Sequence, residues 1–187
     1  MMKIVLTVIL VSLAGFLGYY YLNQSDTSEK KTMNITSRAF SDGDKILPKY
    51  TCDGENVNMP LSWDAVPAGA ESFALIMDDP DIPDSVKKSL GMEVFVHWVL
   101  WNIPASTAGI EENSVPTGAS QGLNSSGSNK YTGPCPPDRE HRYFFKLYAL
   151  DAKLDLPAST NKEDLLRAMD GHVLEETELV GLYERIK

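Results

Sequence analysis

Basic residues are scarce in this chain. Its 187 residues hold 17 Lys and Arg against 26 Asp and Glu. The first 22 contain one charge, Lys3, so the remainder sets 16 cations against 26 anions, a formal −10. Gripping nucleic acid needs clustered cations to neutralise phosphates, so no nucleic-acid partner is expected, nor bulk attraction to an anionic membrane surface. Cysteine is scarcer still. Two are too few for a disulfide-stapled scaffold or a four-thiolate zinc site. Internal repeats are absent, as are a phosphate-cradling glycine loop and a nucleophile elbow, so neither a cofactor nor a metal is expected. What remains is 43% hydrophobic and 23% charged, the composition of a globular body.

The start of the chain is different. Ile4 to Leu22 run nineteen residues without a charge, about the length that spans a bilayer core. Lys3 supplies the positive flank, and Tyr19, Tyr20 and Tyr21 sit where aromatic rings favour a membrane interface. Residues 1–22 read as an uncleaved membrane anchor or as a cleaved signal peptide, and either exports the rest of the chain. Residues 23–34 are a polar tether without an apolar period. Residues 35–187 form one domain.

That domain reads as mostly β. Ile35–Phe40, Ser72–Met77, Glu93–Ile103, Arg142–Leu150 and Leu179–Ile186 are rich in β-branched and aromatic residues and bounded by Pro and Gly clusters. The run Val94 to Trp101 is too continuously apolar for a one-sided strand and belongs centrally, covered on both faces. One helix is expected over Asn161–Asp170, capped by Ser159 or Thr160 and ended by Gly171, with a weaker turn over Asp84–Leu90. The Gly- and Ser-rich stretch Gly118–Gly133 is too long for a plain hairpin loop, and such loops are usually functional or mobile.

Three places concentrate unusual residue types. Asp78-Asp79-Pro80-Asp81-Ile82-Pro83 holds carboxylates in a proline-stiffened turn, which also fits a surface Asx-turn. His97 lies inside the aromatic strand, where a packed core residue is the simpler reading. Gly133-Pro134-Cys135-Pro136-Pro137 leads into His141-Arg142-Tyr143, and period-two alternation puts His141 and Tyr143 on one face. Together Asp79, His97, His141 and Tyr143 make a convergent polar pocket. Two imidazoles and a phenol would donate to an anion, with Asp79 orienting one ring.

Those blocks resemble the phosphatidylethanolamine-binding protein family in its prokaryotic Raf-kinase-inhibitor-like branch. Further matches are Tyr50-Thr51-Cys52-Asp53-Gly54-Glu55-Asn56-Val57 with Pro60-Leu61-Ser62-Trp63, then Trp101-Asn102-Ile103-Pro104, and Ala168 to Leu174 with Glu178 to Gly181. The resemblance covers residues 35–187. It implies a Greek-key antiparallel two-sheet fold with a few peripheral helices. It also implies a small pocket for phosphate-like anions or phospholipid head groups, lined or shaped by Asp79, Asp81, His97, Cys135, Pro136, Pro137, His141 and Tyr143. Cys135 stands where animal members carry a glycine, which leaves the pocket mouth and ligand size open, and the helix that lies by the pocket in mammalian members has no obvious counterpart, so the resemblance alone does not carry kinase inhibition over.

The expected function is therefore non-catalytic binding of a small anionic ligand or head group beside a membrane. An inhibitor of a protein partner, kinase or protease, is the alternative. A small hydrolase using Cys135 with His141, and a metal site of His97, His141 and Asp79, are chemically open but less favoured. Two cysteines in an exported chain leave a Cys52–Cys135 disulfide and two free thiols as options. His172 is expected to cap or pack.

Overall fold

The computed structural model describes residues 31–185; the 1–22 segment and most of the tether lie outside them. Among the described residues no helix is long and apolar enough to cross a membrane. Eight strands run β1 Asn34–Thr36, β2 Leu61–Asp64, β3 Ser72–Asp79, β4 Phe95–Pro104, β5 Gly109–Ile110, β6 Ser120–Gln121, β7 His141–Leu150 and β8 Val173–Tyr183. Among the described residues two short α-helices join them, α1 Asp84–Leu90 and α2 Lys162–Met169. The strands form antiparallel sheets ordered β1-β2-β5 and β6-β4-β3-β7-β8.

β3 is buried along its whole length and divides the interior in two. Phe73, Leu75 and Met77 point between the sheets, where they meet Trp63, Trp98, Leu100, Phe145 and Leu147. Ala74 and Ile76 point to the outer face, which α2 covers with Leu165 and Met169 alongside Trp101 and Leu150. A strand covered on both faces needs apolar residues at successive positions, hence its continuous apolar run. The same holds for β4, which lies second from the sheet edge.

Local chemistry sets the element ends. Asn161, rather than Ser159 or Thr160, caps α2 by accepting from the Asp164 amide at 2.9 Å. Gly171 follows at φ +79°, a left-handed turn that carries the chain straight into β8. β1 stops at Thr36 because Ser37 turns the chain: its hydroxyl donates to the Pro60 carbonyl and accepts from the Ala39 amide. The 118–133 stretch is tied down along its length. Asn124, buried, accepts from the Ser126 and Ser128 amides and donates to the Lys130 carbonyl and the Thr132 hydroxyl. Past β6 the stretch keeps tracking β4 through Gly122 N–H to the Val99 carbonyl and Ser125 N–H to the Val96 carbonyl.

Candidate functional site

The site arises where strand register fails. β3 pairs with β4 through Met77–Trp98 and then Asp78–Val96, so His97 is the extra residue of a β-bulge. Without the bulge, alternation would send His97 and Trp98 to opposite faces. With it, both point between the sheets, and the ladder is locally bent, as bulges beside functional sites commonly do. On the same face and at the same end lie Asp79 of β3 and His141 and Tyr143 of β7. The His97 ring meets Tyr143 edge-on at 5.2 Å and leans on Phe95 at 4.8 Å.

Beside them is a cavity of about 190 Å³ lined by Asp79, Phe95, His97 and Thr132, by Ile82, Pro83 and Val86, and by Gly133, Cys135, Pro136 and Pro137. Its walls are mostly apolar. Gly133 is required where the loop crosses the 50–52 turn: a Cβ there would stand 2.5 Å from the Tyr50 carbonyl and 2.9 Å from the Thr51 Cα. The Gly133 amide donates to Asn56 Oδ1 at 2.7 Å, and the Cys52 amide to the Pro134 carbonyl at 3.1 Å. A disulfide joins Cys52 to Cys135, with Cα atoms 5.4 Å apart, and locks the same junction. In that state Cys135 has no thiolate, the species a hydrolase nucleophile would need.

The expected residues divide into two groups. Asp79, His97, Cys135, Pro136 and Pro137 line the cavity. Asp81, His141 and Tyr143 stand behind or beside it. Asp81 clamps the turn to β7: its carboxylate takes the Arg142 amide at 3.0 Å and the guanidinium at 2.8 Å, and its own amide donates to Asp79 Oδ1 at 2.7 Å. That guanidinium holds the Asp81 carboxyl down at about 2. The turn is thus an Asx-turn and a wall of the pocket at once.

The expectation of two imidazoles donating to one anion is not met by this arrangement. His97 donates from Nδ1 to the Thr132 carbonyl at 2.6 Å, and burial lowers its pKa to about 4. The ring is therefore neutral near pH 7, and its second nitrogen, Nε2, offers a lone pair rather than a proton. That atom is buried without a partner. His141 faces carboxylates on both sides, Asp79 Oδ2 at 2.7 Å and Asp138 Oδ1 at 2.9 Å, so neither of its nitrogens is free. The three-ligand metal arrangement fails for the same reason, and among the described residues no cluster of three or more His, Cys, Asp or Glu could hold a metal ion.

Burial raises the Asp79 carboxyl, with the His141 hydrogen bond pulling the other way, while the same ring lowers Asp138. The Tyr143 phenol is pushed far up, first by burial and then by the Asp79 charge, so it stays a protonated donor. Its hydroxyl makes no hydrogen bond of ordinary geometry, although the Cys135 backbone faces it and favours its oxygen. His172, exposed, pairs with Asp151 at 2.8 Å, and its amide closes the end of α2 on the Met169 carbonyl.

Sequence reasoning misses Thr132, which fixes the His97 tautomer through a backbone atom and so leaves no side-chain signal. It also misses Asp138, whose position three residues before His141 carries no periodicity within a loop. The apolar wall of Ile82, Val86 and Phe95 is legible only as packing.

Similarity to known proteins covers the same region. The family profile described as phosphatidylethanolamine-binding protein matches residues 36–184. A UPF0098 protein of Methanothermobacter thermautotrophicus is 52% identical over 158 residues, spanning 82% of this chain and 99% of the relative. The crystal structure of a phosphatidylethanolamine-binding protein homologue from Chlamydia trachomatis superposes with a TM-score of 0.78 at 42% identity, covering 83% of this chain and 99% of that one. YbcL of E. coli, described as a new member of the mammalian family, gives 0.75 at 27% identity over 83% of this chain and all of its own. Register, bulge and pocket loop are thus carried by a chain that belongs to the phosphatidylethanolamine-binding protein family.

Proposed function

We propose that the chain is a non-catalytic binding module whose cavity beside His97 holds a small phosphate-like group, free or as a head group. One observation carries this reading. Among the described residues three buried side-chain polar atoms lack a partner, Trp63 Nε1, His97 Nε2 and Tyr143 Oη, and two of the three belong to neighbouring rings, that of His97 lining the cavity and that of Tyr143 standing behind it. Burying an unsatisfied polar group costs about 1–3 kcal/mol, so two together favour a polar occupant of the adjoining cavity. The Tyr143 hydroxyl donates, the apolar walls exclude competing water, and the disulfide and prolines keep the rim from having to order on binding. The N-terminal apolar run supports a location for this module on the exported side of a membrane.

Titration with inorganic phosphate and with phosphoethanolamine, followed by the His97 ring resonances, tests the reading. Saturable shifts are expected at millimolar ligand or below, and their absence would overturn it. Tyr143→Phe sharpens the test. Because the hydroxyl makes no hydrogen bond of ordinary geometry in the free protein, its loss should leave unfolding free energy within about 0.5 kcal/mol while weakening phosphate binding about tenfold. A protein partner reading would instead show binding indifferent to this substitution.

A further inference from the structure

A second cavity, of about 260 Å³, shares no lining residue with the one beside His97. Carboxamides dominate its polar wall: Asn56, Asn58, Asn113 and Gln121, joined by Ser114. Val57, Val115 and Tyr131 supply apolar surface. In a chain with 26 acidic residues no carboxylate lines it, and its one charged group, Lys130, is exposed. A cation finds no counter-charge here, and an anion only a solvated one. Hydrogen bonds orient the amides. The Gly133 amide and the Trp98 indole N–H can only donate, so the atoms facing them are oxygens, Asn56 Oδ1 at 2.7 Å and Gln121 Oε1 at 2.9 Å. Each side chain is thus held by its oxygen, and its NH2 has no protein partner among the described residues. Asn58, buried, is committed to the frame: its carbonyl takes the Asn113 amide at 3.1 Å and its Oδ1 the Ser114 amide at 3.0 Å. Asn113 is the informative member. Three asparagines among the described residues hold left-handed backbone, Asn56 at φ +57°, Asn102 at +54° and Asn113 at +51°. Glycine fits that region more easily, so a side chain kept there calls for a reason. Asn102 bridges the Leu154 amide and carbonyl, and Asn56 takes the Gly133 amide. No group among the described residues bonds the Asn113 carboxamide, and that residue lines the cavity.

We propose that this cavity is a second binding site, for a neutral polyhydroxylated ring of the size of one sugar. A hydroxyl both donates and accepts, as do a carboxamide and the Ser114 hydroxyl, so the fit is one of matched hydrogen-bonding capacity rather than of charge. The volume falls just below the usual range of small-molecule pockets, about 300–1,000 Å³, which limits the occupant to a single ring. Val57, Val115 and Tyr131 offer apolar surface to its C–H face. Asn56, Ser114 and Gln121 are already tied to backbone or to Trp98, so little ordering accompanies binding. The site does not depend on the anion binding proposed beside His97, although the Gly133–Asn56 hydrogen bond links the walls of the two cavities.

NMR titration of the disulfide-intact chain with methyl β-D-glucopyranoside, N-acetylglucosamine and myo-inositol tests the assignment. Cyclohexanol, a ring with one hydroxyl, and sodium sulfate serve as controls. The Trp98 indole N–H is the natural reporter because it donates to Gln121. At least one of the three polyols should shift that resonance, together with the Gln121 and Asn113 side-chain amides, saturably and with a Kd of about 1–10 mM. Cyclohexanol and sulfate should leave them unmoved. Asn113→Gly keeps the left-handed backbone and removes only the carboxamide, so thermal stability should hold or rise while affinity falls about tenfold. Ser114→Ala retains the backbone bond to Asn58 and should weaken binding about fivefold. No saturable shift with any of the three polyols up to about 50 mM would overturn the assignment. So would shifts of equal size with cyclohexanol or sulfate, or an affinity unchanged in both variants. The His97 ring resonances follow the anion site separately, so either site can fail without the other.

Discussion

Asp78 and Asp79 are neighbours on one strand, and the fold treats them in opposite ways. Asp78 turns to the outer face, where its buried carboxylate is met by Lys162 and Lys146. Every polar atom in that cluster has a partner. Asp79 turns inward to a ring that is itself shared with Asp138, beside two polar atoms that have none. Side-chain chemistry is the same and burial is similar, at 1% and 3% exposure. The contrast lies in saturation: a filled network holds a fold together, while an unfilled one waits for something.

The comparison can be broken hardest on the outer face. Asp78→Ala leaves two ammonium groups, one of them nearly buried, without a counter-charge, and denaturant unfolding should show a loss of about 3–5 kcal/mol with phosphate-binding residues untouched. On the inner face the largest effect comes through pH. In the unfolded chain His97 takes a proton near 6.5, but in the folded protein only near about 4. Below 6.5 the unfolded state therefore binds more protons, so stability falls with pH between these values and levels off beneath them, by about 3 kcal/mol in all. Thermal unfolding from pH 7 to 4 should show this slope, and His97→Gln should flatten it. The smallest effect belongs to the clamp. Asp81→Asn weakens the tie to Arg142 and should cost about 1 kcal/mol at neutral pH. The Asp81 contribution runs in a lower window, present above the unfolded carboxylate value of 3.8 and lost as pH falls through about 2, so a shared window for Asp81 and His97 would contradict their separate causes.

Much of the architecture is readable from the chain, and for identifiable reasons. The buried strands announce themselves because two-faced burial demands unbroken apolar runs, as in β3 and β4. The α1 span matches Asp84–Leu90 because Pro83 and Gly91 bracket it. β8 begins at Val173 rather than at Leu179, since its first half, Val173 to Glu178, exposes much of its surface and carries three glutamates that mask any apolar alternation. The strand expected over Ile35–Phe40 ends early because a serine side chain, not a Pro or Gly, turns the chain. Within the site, residue types point to Asp79, His97, His141 and Tyr143, yet their protonation and direction depend on the Thr132 carbonyl and on Asp138. A tautomer set by a backbone atom 35 positions away leaves no trace in composition or spacing.

The bulge at His97 gives the site an unusual kind of dependence on its gene. Most binding pockets are edited by exchanging side chains, one codon for another of equal length. Here the wall exists because β4 carries one residue more than β3 pairs with between Met77 and Asp78, at one of two register shifts that these strands share. Removing the His97 codon would restore regular pairing with β3 across Met77 and Asp78, a local gain in regularity, and in the same step take away the ring that lines the pocket. A tidier strand and a working pocket are mutually exclusive at this point in the chain, so the lineage that keeps the pocket must keep an insertion.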